Sequence, residues 1–296
     1  MTDGQTFAIS GHLLTAPPLE PGLYIVATPI GNLRDITIRA LETLAACDVL
    51  ACEDTRMTRR LLDRYAITAR TVAYHEHNAE GSGAQLLAWL AEGKSVALVS
   101  DAGTPLISDP GYRLVRDARA ANHAVYPIPG PSAVVAALSA SGLPTDDFRF
   151  CGFLPTKEKA RAERLDALST FPSTLVFYEA PGRLAKTLAA IATAMGADRE
   201  VVVARELTKR FETISSGGAG QMTDQFVSET VKGEIAILIA PADATLTRMD
   251  DTDIAALLKN LAADMPASKA AKAAAEQTGL PKADLYARLL AMKADG

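Results

Sequence analysis

The sequence predicts an α/β protein of two lobes with a small helical segment behind them. Three observations carry this. From Pro21 to about Ile239, apolar runs of strand length alternate with helix-length segments, the pattern of mostly parallel sheets covered on both faces. Pro127-Ile128-Pro129-Gly130-Pro131-Ser132 punctuates the alternation and divides it into halves. After Pro241, Ala, Leu and Lys dominate and strand-like runs cease. The 296 residues suit the division, since a domain takes ~100–200. The expected organisation is a flexible N-terminal tail over 1–20, α/β domains over 21–128 and 129–242, and a helical tail over 243–296.

In chain order, Leu23–Ala27 reads as a buried strand and Asp35 as the N-cap of a helix reaching Ala46. Asp48–Cys52 is a second strand, followed by a basic helix over Asp54–Tyr65. A strand over Thr71–Tyr74, a helix over Ala84–Ala91 and a strand over Ser95–Val99 come next. A long Gly/Pro loop leads to a helix over Tyr112–Ala121 and a strand over Ala124–Ile128. In the second half, strands fall on Phe148–Phe153, Thr174–Tyr178, Glu200–Ala204, Phe211–Ser215 and Ile235–Ile239. Helices fall on Lys157–Leu168, Arg183–Met195 and Thr223–Lys232. The consecutive strands Glu200–Ala204 and Phe211–Ser215 suggest a hairpin, hence a mixed sheet. Helices over Asp253–Ala263, Ser268–Gln277 and Lys282–Ala291 fill the tail. The last two flank a Thr278-Gly279-Leu280-Pro281 turn, as in a helix-turn-helix unit; a plain helical cap on the second lobe fits equally.

Composition narrows the function. A net charge of −5 gives no whole-chain basic footprint for nucleic acid, although a local basic face would serve. Cys47, Cys52 and Cys151 are odd in number, form no CxxC pair and lie near no paired histidines. Neither a disulfide framework nor a metal site is expected, and free thiols in a reducing cytoplasm fit. No apolar run reaches the ~18 residues of a membrane span, and the N-terminus lacks the pattern of a signal peptide. A cytoplasmic protein with no membrane partner is expected.

Ligands of open α/β sheets bind beyond the carboxyl ends of strands, so the loops there are the candidate sites. In the loop from Ala27 to Asp35, Gly31 permits close backbone approach; the pattern is not the GxGxxG of dinucleotide sites. The loop from Ser100 to Gly111 carries Asp101, placed to accept hydrogen bonds from a ribose or an amine, and Asp109, placed to cap the next helix. Pro129-Gly130-Pro131-Ser132-Ala133 opens a helix whose first N–H groups could bind an anion, or forms a rigid inter-domain turn. Arg56, Arg59 and Arg60 share a helix face that could grip phosphates, though a solvated face looks the same. Lys157, Lys159, Arg161 and Arg164 form a second basic helix, interleaved with Glu158 and Glu163. In Tyr74-His75-Glu76-His77-Asn78, the two histidines point to opposite sides if extended, against a metal pair; one could serve as a base, or both be structural. Trp89 reads as helix packing.

Six segments stand in order along the chain: Tyr24-Ile25-Val26-Ala27-Thr28-Pro29-Ile30-Gly31-Asn32-Leu33, Cys52-Glu53-Asp54-Thr55-Arg56, Tyr74-His75-Glu76-His77-Asn78, Ser100-Asp101-Ala102-Gly103-Thr104-Pro105, Pro129-Gly130-Pro131-Ser132-Ala133 and Phe177-Tyr178-Glu179-Ala180-Pro181. Together they resemble the tetrapyrrole methylase superfamily and, more narrowly, the ribosomal RNA small subunit methyltransferase I family. The resemblance spans about Leu23 to Ile239, with a family-like helical tail behind it. It implies S-adenosylmethionine in a cleft between two α/β domains, and a homodimer. It also implies methylation of a cytidine ribose 2′-hydroxyl in the decoding region of small-subunit (16S) ribosomal RNA or the 30S particle. The family's cofactor positions fall on Pro29, Ser100, Asp101, Ile107, Ser132, Ala133, Tyr178, Glu179 and Gly217. Thr28-Pro29-Ile30-Gly31-Asn32 stands where tetrapyrrole enzymes usually carry a Gly-rich loop, which favours the RNA branch.

Methyl transfer from a sulfonium is an in-line displacement, and a ribose hydroxyl is a poor nucleophile that needs a base or an oxyanion stabiliser. Glu53 or His75 is the expected group, and Arg56, Arg59 and Arg60, with Lys157 and Lys159, are the expected RNA contacts. A methyltransferase of small tetrapyrroles is the nearest rival; it would need a deep apolar cleft and no basic helices. A non-catalytic RNA-binding factor is a second, against which the loop around Asp101 speaks. A nucleotidase would need a full Walker-type Gly-x-x-x-x-Gly-Lys-Ser/Thr loop, which is absent.

Overall fold

A computed structural model of the chain describes residues 5–75, 79–242, 251–278 and 280–294. The chain opens with a hairpin of β1 (Thr6–Ile9) and β2 (His12–Thr15), where the sequence suggests a flexible tail. Phe7 is buried in the first lobe's core and the Ala8 N–H donates to the Tyr65 carbonyl, so the hairpin is tied down.

The first lobe runs β3 (Gly22–Val26), α1 (Ile38–Ala46), β4 (Val49–Cys52), α2 (Thr55–Arg64), β5 (Thr71–Ala73), α3 (Ala79–Ala91), β6 (Ser95–Val99), α4 (Tyr112–Ala120) and β7 (Val125–Ile128). Its five strands are all parallel, in the order β5-β4-β6-β3-β7. Apolar residues cover both faces. Leu41, Leu44 and Leu62 pack on one, Leu86, Leu90 and Leu114 on the other, which is why β4 and β6 read as uninterrupted apolar runs. Helix α1 starts later than expected. Asp35 ends a single 3₁₀ turn (Leu33–Asp35), and Thr37 is the N-cap, its hydroxyl accepting from the Ala40 N–H. Asp109 does not cap α4 either; Gly111 holds that position without a side-chain bond. Trp89 is half-buried against the α3–α4 face, with the Arg70 guanidinium over its ring.

In the second lobe, α5 (Ala133–Ser141), β8 (Phe148–Phe153), α6 (Glu158–Asp166), β9 (Thr174–Glu179), α7 (Leu184–Met195), β10 (Glu200–Arg205), β11 (Thr213–Gly218), α8 (Ala219–Val227) and β12 (Ile235–Ile239) follow. The sheet order is β11-β10-β12-β9-β8. Only β8 and β9 pair in parallel, so the sheet is mixed, and β10–β11 is the expected hairpin. Strand β11 begins two residues later than the sequence suggests and α8 four residues earlier, at Ala219. Helices α9 (Asp251–Asp264), α10 (Ala267–Thr278) and α11 (Lys282–Ala294) close on their own core of Ile254, Leu258, Ala270, Ala274, Leu285 and Leu289. Cys47 and Cys52 are buried and Cys151 half-buried, all as free thiols, and burial pushes Cys47 up to about 12.

Candidate active site

Strand order places the site. Strands β3 and β6 are neighbours, but the chain leaves β3 toward β4 on one side and leaves β6 toward β7 on the other. Such a switch point opens a crevice beyond the strands' carboxyl ends. The two loops that leave it are stitched together there. Thr28 and Gly103 exchange backbone hydrogen bonds of 2.8 and 3.0 Å, and the Thr28 hydroxyl donates to the Ser100 carbonyl. The Thr104 hydroxyl donates to the Pro131 carbonyl, joining the third loop. Within this assembly Leu106 and Ser108 both hold left-handed backbone, at φ +76° and +66°. Side-chain-bearing residues keep such conformations only where the surroundings over-determine them, and they cluster at functional sites.

Two cavities meet at these loops. The first, about 370 Å³, lies between the lobes and is walled by Ile107, Asp109, Ser132, Phe153, Tyr178 and Ile235 among others. The second, about 350 Å³, is walled by Pro29, Met57, Arg60, Ser100, Asp101 and Lys209 among others. Ile30, Ala102 and Glu234 line both.

The electrostatics are predominantly acidic. Burial pushes the Asp109 carboxyl up, the charge of Asp101 adds to it, and a Ser100 hydrogen bond partly offsets both. Burial also raises Glu53, with Asp101 and Asp109 adding and His75 opposing. Tyr178 is raised by burial and then by Asp109, and its ring meets Phe150 and Phe153 edge-on. The one cation reaching across from the second lobe is Lys209 among the residues lining either cavity. Its Nζ lies 2.8 Å from Glu206 Oε1 and 2.9 Å from Glu234 Oε2. Burial alone would lower its pKa, but the hydrogen bonds to Glu206 and Glu234 outweigh it and raise it.

Residues 22–223 match the family described as Tetrapyrrole (Corrin/Porphyrin) Methylases, and 248–293 match the RsmI C-terminal HTH domain. Ribosomal RNA small subunit methyltransferase I of Mesorhizobium japonicum is 57% identical over 95% of this chain and 95% of its own. The protein of that name from Escherichia coli O157:H7 is 49% identical over 89% and 93%. The chain belongs to the ribosomal RNA small subunit methyltransferase I family. Solved structures more distant in sequence share its fold. Cobalt precorrin-4 methyltransferase, 21% identical, covers 74% of this chain and 94% of its own at a TM-score of 0.57. Diphthine synthase, 15% identical, covers 74% and 89% at 0.59.

In this member of the small subunit methyltransferase I family, the expected cofactor positions divide between the cavities. Ile107, Ser132, Ala133, Tyr178 and Glu179 line the first; Pro29, Ser100 and Asp101 line the second. Gly217 lines neither, because it sits on the edge strand β11 opposite Val201. Glu179 lines the wall with its carboxylate already engaged. Oε1 accepts from the Ala180 N–H at 2.8 Å and lies 3.2 Å from Arg183 Nε, and Oε2 accepts from the Thr187 hydroxyl at 2.6 Å.

The two expected bases are not in the cavities. Glu53 and His75 line neither, although Glu53 is near enough to Asp101 and Asp109 to feel their charge; Glu76, His77 and Asn78 fall outside the described residues. The basic helix face is also less free than its spacing suggests. Arg56 clasps Asp54 through both Nε and Nη2, holding that carboxyl down to about 2, and Arg59 pairs with Asp63. Only Arg60 of the three reaches a cavity wall. Lys157 stands at the N-cap of α6 and is exposed, and Lys159 lies 3.9 Å from Glu163. Sequence reasoning missed Lys209, Glu234 and Phe153. The signal for Lys209 and Glu234 was faint: Glu206, Lys209 and Glu234 are charges spaced along two separate turns, with no periodicity to join them.

Proposed function

We propose that the chain transfers a methyl group from S-adenosylmethionine to the 2′-hydroxyl of a cytidine ribose in small-subunit (16S) ribosomal RNA, free or in the 30S particle. It acts in the cytoplasm as a homodimer. The observation that carries the reading is the cavity between the lobes at the sheet's switch point. Its volume falls within the ~300–1,000 Å³ of small-molecule sites, and its wall combines apolar surface with a few convergent polar groups. The residues fit an adenosyl sulfonium: Tyr178, Phe153 and Ile107 offer apolar surface, Ser132 and Asp109 polar contacts, and the acidic loop a field suited to a cation. When bound, the cofactor supplies a methyl carbon already activated by the adjacent positive sulfur. The chain's own part is to hold that carbon in line with the attacking oxygen and exclude water, which the stitched loops and apolar walls serve.

The RNA branch of the superfamily is supported by the names of the relatives, the helical tail and Arg60 at the mouth of the second cavity. Among the described residues no helix is long and apolar enough to cross a membrane. The homodimer follows the family resemblance and is measured by sedimentation. The deciding experiment supplies radiolabelled S-adenosylmethionine with undermethylated 30S particles or with a porphyrinogen. Label in a cytidine ribose of the RNA is the expected result; label in the porphyrinogen alone overturns the reading.

A further inference from the structure

The reaction needs one place where an acceptor oxygen and the methyl donor meet, and the two cavities share a wall of only three residues, Ile30, Ala102 and Glu234. Of these only Glu234 can take a proton. Its side chain is 72% exposed, so it is open to a substrate, and its Oε2 is held by Lys209 Nζ at 2.9 Å. The network around it is built. Glu206 holds Lys209 through Oε1 at 2.8 Å, and the same oxygen accepts the Glu234 N–H at 3.1 Å. Glu206 does so from left-handed backbone at φ +53°. Gly233 lacks the Cβ that would collide with the Glu206 carboxylate, and the Lys209 stem occupies the space a Cβ on Gly31 would fill. Strained backbone and two cleared positions converge on one carboxylate, which solvated charges have no need of.

The second cavity has the chemistry of a nucleotide pocket. Met57 and Leu33 give apolar surface for a base, and Arg60 stands at the wall as a phosphate contact. Among the described residues Arg60 has no ion-pair partner, unlike Arg56 and Arg59. Asp101 also lines this cavity, but its Oδ1 already accepts the Asp54 N–H at 3.0 Å, and it does not reach the first cavity's wall.

We propose that the second cavity receives the acceptor nucleotide, turned out of an RNA strand, and that Glu234 takes the proton of its ribose hydroxyl while Lys209 holds Glu234 in place. This rests on the reading of the chain as a ribose methyltransferase. The ribose oxygen forms its bond to the methyl carbon as the carbon–sulfur bond breaks. The sulfur keeps that electron pair and becomes a neutral thioether, and the hydroxyl proton passes to the Glu234 carboxylate. Extrusion of a nucleotide for chemistry has a cost of a few kcal/mol that is smallest for an unpaired base. The pocket therefore suits a single-stranded or loop target.

Two measurements test the proposal. In the first, the intact protein carries ¹³C-methyl methionine, is saturated with S-adenosylhomocysteine and is titrated with a cytidine-containing RNA hexamer. The Met57 resonance, assigned by Met57→Leu, shifts, while that of buried Met222 stays; an unmoved Met57 at full RNA binding overturns the pocket. In the second, Glu234→Gln lowers kcat by about 100-fold or more at unchanged KM for RNA, the size of a lost general base. Calorimetry shows that the variant still binds S-adenosylmethionine. Lys209→Ala gives a smaller fall in kcat that Lys209→Arg partly rescues. A Glu234→Gln kcat within about threefold of the parent, or a loss of cofactor binding, overturns the assigned role. If the parent itself leaves the ribosomal RNA unmethylated while Met57 still shifts, the reaction reading falls and the RNA pocket stands.

Discussion

Thr28 and Gly103, 75 residues apart in sequence, exchange both backbone hydrogen bonds and so lock the loop after β3 to the loop after β6. Gly103 does this at φ +79°, where a Cβ would still find tolerable space, 3.4 Å from Ile30 Cγ2. The cost of Gly103→Ala is therefore backbone strain rather than collision, about 1–2 kcal/mol. Because the bridge shapes the wall of the first cavity, S-adenosylmethionine affinity should fall about tenfold with it if the strain is relieved by opening the bridge. Urea unfolding and calorimetry on the same variant measure the two effects.

Glu179 is a structural anchor for the cavity wall. Its carboxylate is buried and satisfied by Ala180, Arg183 and Thr187, so it holds the turn into α7 in place. Glu179→Gln keeps the shape but removes the charge facing Arg183 and turns one acceptor into a donor. The expected loss of stability is about 3 kcal/mol, the lower end for breaking a buried pair, since Arg183 keeps some access to water. A shift in urea midpoint at unchanged slope would show it.

Asp109 makes the site's stability depend on pH. Its carboxyl is raised in the folded protein by burial, with Asp101 adding, from a reference of 3.8. The folded state thus binds this proton more tightly than the unfolded chain. The stability it contributes is fully present below the reference value and is lost as pH rises through the folded one. Asp109→Asn, neutral throughout, should gain stability over the parent at about pH 7 and lose that advantage near about pH 4. Melting temperatures of both proteins across that range check the sign.

Much of this architecture was legible because burial leaves a signature in local sequence. Strands β4, β6 and β12 are covered on both faces and read as unbroken apolar runs. The loops around Thr28, Asp101 and Ser132 stood out because Gly, Pro and Asp at strand ends have few structural reasons to be there. The N-terminal hairpin was not legible: its strands are four residues long, and only Phe7 is buried in them. The start of α1 was misplaced because Asn32, Asp35 and Thr37 are all cap formers within six residues, and only geometry selects Thr37. Strand β11 and α8 were misplaced, since Gly217 and Gly218, poor strand formers by composition, complete the strand and α8 starts directly after them. Glu234 and Lys209 were invisible for a different reason. They reach the loop at Gly31 only through the packing of one lobe on the other, and no spacing along the chain encodes that.

The RNA-facing charge should reside in Arg60 more than in its neighbours. Arg56 and Arg59 are held by Asp54 and Asp63, so each brings little net charge to a phosphate. Arg60→Ala should reduce the slope of log affinity against log salt for a small-subunit RNA fragment by about 1. Arg56→Ala should change it by less, since removing Arg56 also frees the Asp54 carboxylate. Equal slopes for the two variants would return the role to the whole helix face.

Gly31 and Lys209 should be energetically coupled. A Cβ at Gly31 would stand 2.5 Å from Lys209 Cε and 2.6 Å from Cγ, and Gly31 also sits at φ +152°. Gly31→Ala thus carries two costs, backbone strain and displacement of the lysine from Glu206 and Glu234. In a Lys209→Ala background the second cost vanishes, because the stem that blocks the Cβ is gone. The double variant should then be more stable than the sum of the single effects by about 1 kcal/mol or more, within the range for residues in contact. Strict additivity in urea unfolding of the four proteins would mean that the lysine swings away from Gly31 at little cost, and the bracing of Glu234 would be correspondingly weak.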